Sequence, residues 1–245
     1  MGFLKKFFRN VFREETQSGS PSSFERLSED ELEAHLGVAR YGNFSLSSAV
    51  RPSYDLQVVP KQGFRHDVYH DEETKTNVPV LMAAASSEHL FEVFMDLLDP
   101  LGPEVDVVLE TSHHRDRRGH TDLYREHIDL PVLKSILYDY EELLVNDGCT
   151  GIAVLNPSAP HEVQFDEHKL LIVYGNNLKP FELALINRYV DCDDKMKFIT
   201  EAEHVHSSSE QFYEQFQEFK TRLGIDAGYG GGGGRDEDDR HFYSC

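Results

Sequence analysis

Positive charge is scarce in this sequence. The 245 residues carry 24 Lys and Arg against 44 Asp and Glu, a formal net charge of −20, with an isoelectric point near 4.9. A chain of that sign repels a phosphate backbone, which excludes general nucleic-acid binding. Cysteine is scarce too. Cys149, Cys192 and Cys245 are odd in number and widely spaced, so neither a disulfide framework nor a zinc knuckle fits, and a reducing cytosol is expected. No apolar run reaches the roughly 18 residues a membrane-spanning helix needs. Lys5, Lys6, Arg9 and Arg13 interrupt the first residues, so no secretory signal is expected. Lys6 stands where a myristoylation signal wants Ser or Thr, and Cys245 is last rather than fourth from last, so no lipid anchor is read either.

Catalytic and cofactor motifs are also missing. There is no G-x-S-x-G, no H-E-x-x-H and no Gly-rich turn between a strand and a helix. The run Gly230 to Gly234 has no strand before it and no helix pattern after it, so it is no phosphate loop. No cofactor and no bound metal follow from the motifs.

What is present is enough apolar residue for a core, 39% against 28% charged, arranged in four zones. Residues 1–13 are basic and aromatic. Residues 14–23 read as a flexible linker. Residues 24–224 carry periodic apolar pattern and read as a single globular domain. Residues 225–245 are Gly-rich and acidic and are expected to be disordered.

Within the globular zone, Ser28 and Glu31 have the spacing of a capping box, and Gly37 closes that helix. Residues 54–59 read as a strand. Residues 64–69 and 76–84 read as a hairpin around Asp71-Glu72-Glu73. Helices are expected over 87–98 and 131–145, and from Pro180 to Tyr189. Val105 to Leu109 and Ile152 to Leu155 read as buried strands, 162–166 with 169–174 as a second hairpin, and 197–200 as a short strand. Ser207 and Glu210 suggest a capping box before a last helix that Gly224 ends. Helices alternating with hairpins indicate an α+β (or α/β) fold, a mixed sheet with several antiparallel hairpins and about four to five packed helices.

Two stretches bear on function. Residues 2–13 segregate on a helical wheel of roughly 100° per residue. Phe3, Leu4, Phe7, Phe8, Val11 and Phe12 take one half, and Lys5, Lys6, Arg9, Asn10 and Arg13 the other. That is the composition of an interfacial helix, expected to dock on an anionic membrane surface, a protein groove or its own domain. The second stretch, 113–128, has no periodicity and follows a buried strand. With Glu110 it gathers His113, His114, Arg115, Arg117, Arg118, His120 and Asp122, and His127 lies beyond. Such a loop reads as solvated, as an anion or ligand contact through its three arginines, or as a catalytic or metal site. The ligand spacing matches no motif, and the arginines repel a dication.

Three smaller groups are weaker. His66 and His70 lie four apart in a strand, and Asp191, Asp193 and Asp194 flank Cys192 without the form of a calcium loop. His204 and His206 share a face if extended, and on an edge strand such a pair is expected to be solvated. The leading reading is a cytoplasmic, non-enzymatic interaction or regulatory domain recruited by residues 2–13 to a membrane surface or a partner. The alternative is a hydrolase or metal-dependent enzyme using the loop at 110–127. Convergence of Glu110, His113, His120 or Asp122 with His204 or His206 in one pocket favours the enzyme.

Overall fold

A computed structural model describes residues 22–70, 75–113 and 121–225, together with the backbone course of residues 11–14. The strands in chain order are β1 Val11–Glu14, β2 Arg40–Tyr41, β3 Phe44–Ser45, β4 Val50–Pro52, β5 Gly63–His70, β6 Asn77–Ala84, β7 Glu104–Thr111, β8 Thr121–Asp129, β9 Thr150–Leu155, β10 His161–Phe165, β11 Leu171–Gly175 and β12 His204–Ser207. The helices are α1 Glu29–Leu36, α2 Leu90–Leu98, α3 Leu130–Asp139, α4 Glu141–Asn146, α5 Lys179–Asn187 and α6 Glu210–Arg222. Seven strands form one sheet in the order β5-β6-β11-β10-β9-β7-β8. Every pairing in it is antiparallel, so the fold is α+β. A second sheet, β1-β12-β4, lies apart from it, and β2 and β3 make a small hairpin.

The period-two pattern decides which side chain goes where. On β6, Leu81 and Ala83 enter the main core while Val80 and Ala84 enter a smaller cluster with Phe44, Ile172, Met196 and Phe198. On β11, Leu171 and Val173 take the first side and Ile172 the second. A sheet covered on both faces here needs near-continuous apolar strands, which these are. Helix α2 is the centre of the main core. Seven of its nine residues are buried, and the Phe94 ring lies 5.1 Å from that of Phe165 on β10. No helix among the described residues is long and apolar enough to cross a membrane.

Several elements differ from the sequence reading, each for a local reason. Residues 54–59 form turns, because Ser53 accepts the amide of Leu56 on its carbonyl and that of Gln57 on its hydroxyl. The helix expected over 131–145 breaks at Tyr140, whose φ of −120° and ψ of 21° leave the helical region; its ring packs 4.7 Å from Phe219 on α6. The short strand expected over 197–200 is a 3₁₀ turn at Ile199–Glu201, and the strand comes later, as β12. With β12 running to Ser207, the cap of α6 is Ser209, which accepts the Phe212 amide. The polar stretch 113–128 is strand from Thr121, because β7 offers it a full ladder.

The largest difference concerns the N-terminus. Val11–Glu14 is a strand laid antiparallel on β12, with Val11 opposite Ser207 and Glu14 opposite His204. The helix expected over 2–13 therefore does not include Val11, Phe12 and Arg13. A twelve-residue helix is marginal alone in water, and a neighbouring open strand supplies backbone hydrogen bonds that it lacks. Phe3, Leu4, Lys5, Lys6, Phe7, Phe8, Arg9 and Asn10 lie outside the described residues, as do residues 15–21 of the expected linker, residues 71–74 and the residues from 226.

Candidate metal centre

Strand β12 is the middle of its sheet, between β1 and β4, so His204 and His206 are 2% and 3% exposed rather than solvated. The strand is fixed from both sides. Arg51 on β4 donates to the carbonyls of Leu36, Ser47 and Val50, closing the C-terminal end of α1. His35 on α1 contacts the Pro52 carbonyl at 2.9 Å. Beyond β12, the Ser207 amide donates to Ala49, and the Gly148 amide donates to Ser207. Alternation along β12 then points His204 and His206 to one side, with Val205 opposite.

A third histidine arrives from the turn between β10 and β11. Asp166 organises that turn. Its Oδ1 accepts the Leu170 amide at 2.7 Å, its carbonyl accepts the Lys169 amide, and its Oδ2 lies 2.8 Å from His168 Nδ1. Lys169 takes a positive φ of 64° to complete it.

The three imidazoles form a near-equilateral group. Ring centroids are 5.0 Å apart for His168 and His204, 4.8 Å for His168 and His206, and 5.1 Å for His204 and His206. One ring nitrogen from each lies within 4.8 Å of the other two. Three imidazoles on one tetrahedral zinc, at Zn–N of about 2.0–2.1 Å, hold their centroids about 5 Å apart. The Nδ1 atoms are already committed, to the carbonyls of Ala202 and Gly148 and to the Asp166 carboxylate. Those oxygens only accept, so each Nδ1 carries a proton and donates it to them. An outer oxygen fixing each ring in this way is the usual support of a metal-binding histidine.

Beside this group lies a buried polar network. His113 Nε2 sits 3.0 Å from Asp147 Oδ2, Thr150 Oγ1 donates to the same carboxylate at 2.5 Å, and Ser112 donates to Glu167 at 2.8 Å. Burial pushes Asp147 up, but hydrogen bonds and charge from His113, with Ser208 and Thr150, hold it below the ordinary carboxylate range. Lys169 Nζ donates to the Thr150 carbonyl, and burial lowers its pKa despite the acids around it. His113, Asp147 and Cys149 also lie close enough together to hold an ion. Here both ring nitrogens of His113 face inward groups, Nδ1 to Thr111 Oγ1 and Nε2 to Asp147, and burial pushes the Cys149 thiol up to about 12.

Of the residues the sequence singled out, the structure brings His113 inward and ties it, through Asp147, to the segment whose Gly148 carbonyl holds His206. Glu110 and Asp122 face each other across β7 and β8, near the network but not in the three-histidine group. His127 pairs with Glu104 at the far end of that hairpin. His114, Arg115, Arg117, Arg118 and His120 lie outside the described residues. Only part of the expected convergence is therefore present, and the three histidines that lie close enough together to hold an ion are elsewhere.

Glu110 yields a test of its surroundings. Burial first, then the charges of Asp122, Asp166, Glu162 and Glu167, push its carboxyl from 4.5 up to about 7. The folded chain thus holds this proton more tightly than the unfolded one. Stability from this group is present below the unfolded value and is lost as pH rises to about 7. The full loss is about 3 kcal/mol before screening on its partly exposed side. Glu110→Gln is expected to match the wild type at about pH 4 and to exceed it at about pH 8 in urea unfolding midpoint. Equal midpoints at the higher pH would show that Glu110 ionises without cost.

Sequence reasoning missed His168 because nothing marks it but Asp166 two residues before, and the tight turn that joins them is visible only in three dimensions. No protein family, no curated protein and no solved structure matches the chain.

Proposed function

We propose that this protein is a metal-dependent enzyme of hydrolytic type. It holds a zinc-class divalent cation through Nε2 of His168, His204 and His206. The observation that carries the reading is the convergence of three rings whose Nδ1 atoms are all tied to oxygen acceptors. Neutral imidazoles suit zinc and its borderline neighbours rather than magnesium or calcium, which take oxygen ligands. Three protein ligands leave a fourth position for water or substrate, as in catalytic sites, whereas structural zinc sites are closed by four. A cation there lowers the pKa of a bound water towards neutrality. A narrow cleft of about 30 Å³, lined by Phe44, Leu46, Leu90, Phe198, Lys169 and His168, reaches the group at His168.

Zinc binding measured against a competing chelating dye tests this. His204→Ala and His206→Ala are each expected to weaken one equivalent of zinc at least ~100-fold, and Asp166→Asn, which only orients His168, by about 10- to 100-fold. Hydrolysis of nitrophenyl acetate by the zinc-loaded protein is expected to disappear in His204→Ala. A folded wild type that binds no zinc, or binds it as well without His204 and His206, removes the proposal.

A further inference from the structure

We infer a second, solvent-facing site for a thiophilic divalent cation, formed by His66 Nδ1, Cys192 Sγ and the Asp194 carboxylate. It stands on the sheet's β5 edge and shares no residue with the three-histidine group.

The site is built by backbone. The 191–194 segment lies along β5, with the Phe64 amide donating to Asp191 at 2.9 Å, the Asp193 amide donating to Phe64 at 2.7 Å, and Phe64 bridged in parallel to Cys192. Gly63 makes this approach possible. Its φ is 154°, and a Cβ there would stand 3.2 Å from the Asp191 carbonyl and 3.1 Å from Met196 Sδ. Lys61 pairs with Asp193 at 2.5 Å and turns that carboxylate away. Asp194 Oδ1 accepts the His66 amide at 3.2 Å, which sets the carboxylate beside the ring.

The distances have the dimensions of a coordination shell. Cys192 Sγ is 3.8 Å from His66 Nδ1, Cys192 Sγ is 3.5 Å from Asp194 Oδ1, and Nδ1 is 3.2 Å from Oδ1. A tetrahedral zinc with Zn–S of about 2.3 Å, Zn–N of about 2.0–2.1 Å and Zn–O of about 2.0–2.2 Å requires edges of about 3.6, 3.6 and 3.4 Å. Each observed edge is within a few tenths of an ångström of that. The far ring nitrogen, Nε2, is 3.0 Å from Glu182 Oε1 in the first turn of α5. The ring lies between two carboxylates, Glu182 on Nε2 and Asp194 on Nδ1, which raise its pKa; Glu182 holds the Nε2 proton, and a cation takes the place of the proton on Nδ1. Cys192 is an exposed free cysteine, so an ion can reach it without opening the fold. One nitrogen, one thiolate and one carboxylate favour zinc, cobalt or cadmium over magnesium or calcium. The outer position is open to solvent, which makes the bound ion exchangeable. Binding displaces the thiol proton, and the Nδ1 proton of His66 where the ring is an imidazolium, to solvent and involves no redox change.

Cobalt(II) titration of the full chain separates this site from the other, because a cobalt–thiolate bond gives a near-ultraviolet charge-transfer band that histidine ligands do not. The wild type is expected to show the band, Cys192→Ser to lose it together with one bound equivalent, and Glu182→Gln to weaken it by about 10- to 100-fold. His204→Ala is expected to keep it, so failure of the three-histidine site leaves this result intact. Absence of the band in the wild type, or its persistence in Cys192→Ser, overturns the inference. Cys192 is exposed, and an unchanged circular dichroism spectrum for the serine variant excludes misfolding as the cause.

Discussion

Gly148→Ala will lower the stability of this protein by about 3 kcal/mol, the upper end of the cost of overpacking, and will take the three-histidine group apart. A Cβ at position 148 would stand 2.5 Å from the Ala49 carbonyl oxygen, 2.8 Å from the Ser207 oxygen and 2.9 Å from the Ser207 nitrogen. All three are backbone atoms of segments that pair with each other, since the Ser207 amide donates to Ala49 while Gly148 donates to Ser207. None can swing aside as a side chain would. Relief requires moving the 148 segment off β12, and that withdraws the Gly148 carbonyl from His206 Nδ1, 2.9 Å away. A chain of this size loses about 2–4 °C of melting temperature per kcal/mol. The expected drop is therefore about 10 °C, accompanied by zinc affinity reduced towards that of His206→Ala. A variant that melts with the wild type would show that the 148 segment has slack the packing does not suggest.

His113→Ala will be about as severe. Asp147 is completely buried, and His113 Nε2 lies 3.0 Å from its Oδ2. Removing the ring leaves the buried carboxylate without its imidazole neighbour, though the Thr150 hydroxyl still donates to it. It also deletes an aromatic contact to Tyr213 and Phe216 of α6, at 5.5 and 5.3 Å. Breaking a buried pair from one side costs about 3–5 kcal/mol. The pH dependence gives the sign. Asp147 is held below the ordinary carboxylate value, so its stabilisation is present above the unfolded value of 3.8 and is lost as pH falls through the folded one. The gap between wild type and His113→Ala in urea midpoint should accordingly be widest at neutral pH and close in acid. A gap that stays constant into acid would mean that the loss is packing rather than charge. Asp147→Asn with His113 retained separates the two further, because it keeps the ring against α6.

The parts of the fold that were legible in the sequence are those decided by neighbours a few residues away. The Ser28–Glu31 capping box forms as spaced, with the Ser28 amide 2.9 Å from Glu31 Oε2. Both hairpins read from alternation pair as drawn, β5 with β6 and β10 with β11. Helix α2 was visible because its apolar residues are too many for any exposed element. What failed was decided by distant chain. Strand β8 carries few buried residues and no clear alternation, so only its pairing with β7 makes it a strand. Val11, Phe12 and Arg13 read as the end of an amphipathic helix until β12 is beside them.

The candidate site follows the same division. The shared face of His204 and His206 could be read from their spacing, but not their burial, since that comes from two flanking strands supplied by residues 11–14 and 50–52. His168 was invisible because a histidine in a turn has no period to betray it. The second site was half visible. His66 and Cys192 were each noticed, in separate groups, and only the parallel bridge at Phe64 puts them together.

Strand β8 has a consequence for how the molecule behaves in a crowd. It ends the large sheet, and an edge strand with unpaired amides and carbonyls is a template on which another chain can add. Along its nine residues, Asp122, Arg125, Glu126 and Asp129 are exposed, so an incoming copy in antiparallel register would have to set like charges against each other and strip them of water. A net charge of −20 adds repulsion at every approach. This protection is electrostatic and therefore conditional. Molar salt or mild acid, which screen or neutralise those carboxylates, should turn a freely dispersed protein into one that grows sheet by sheet from the β8 side, before any part of its core has opened.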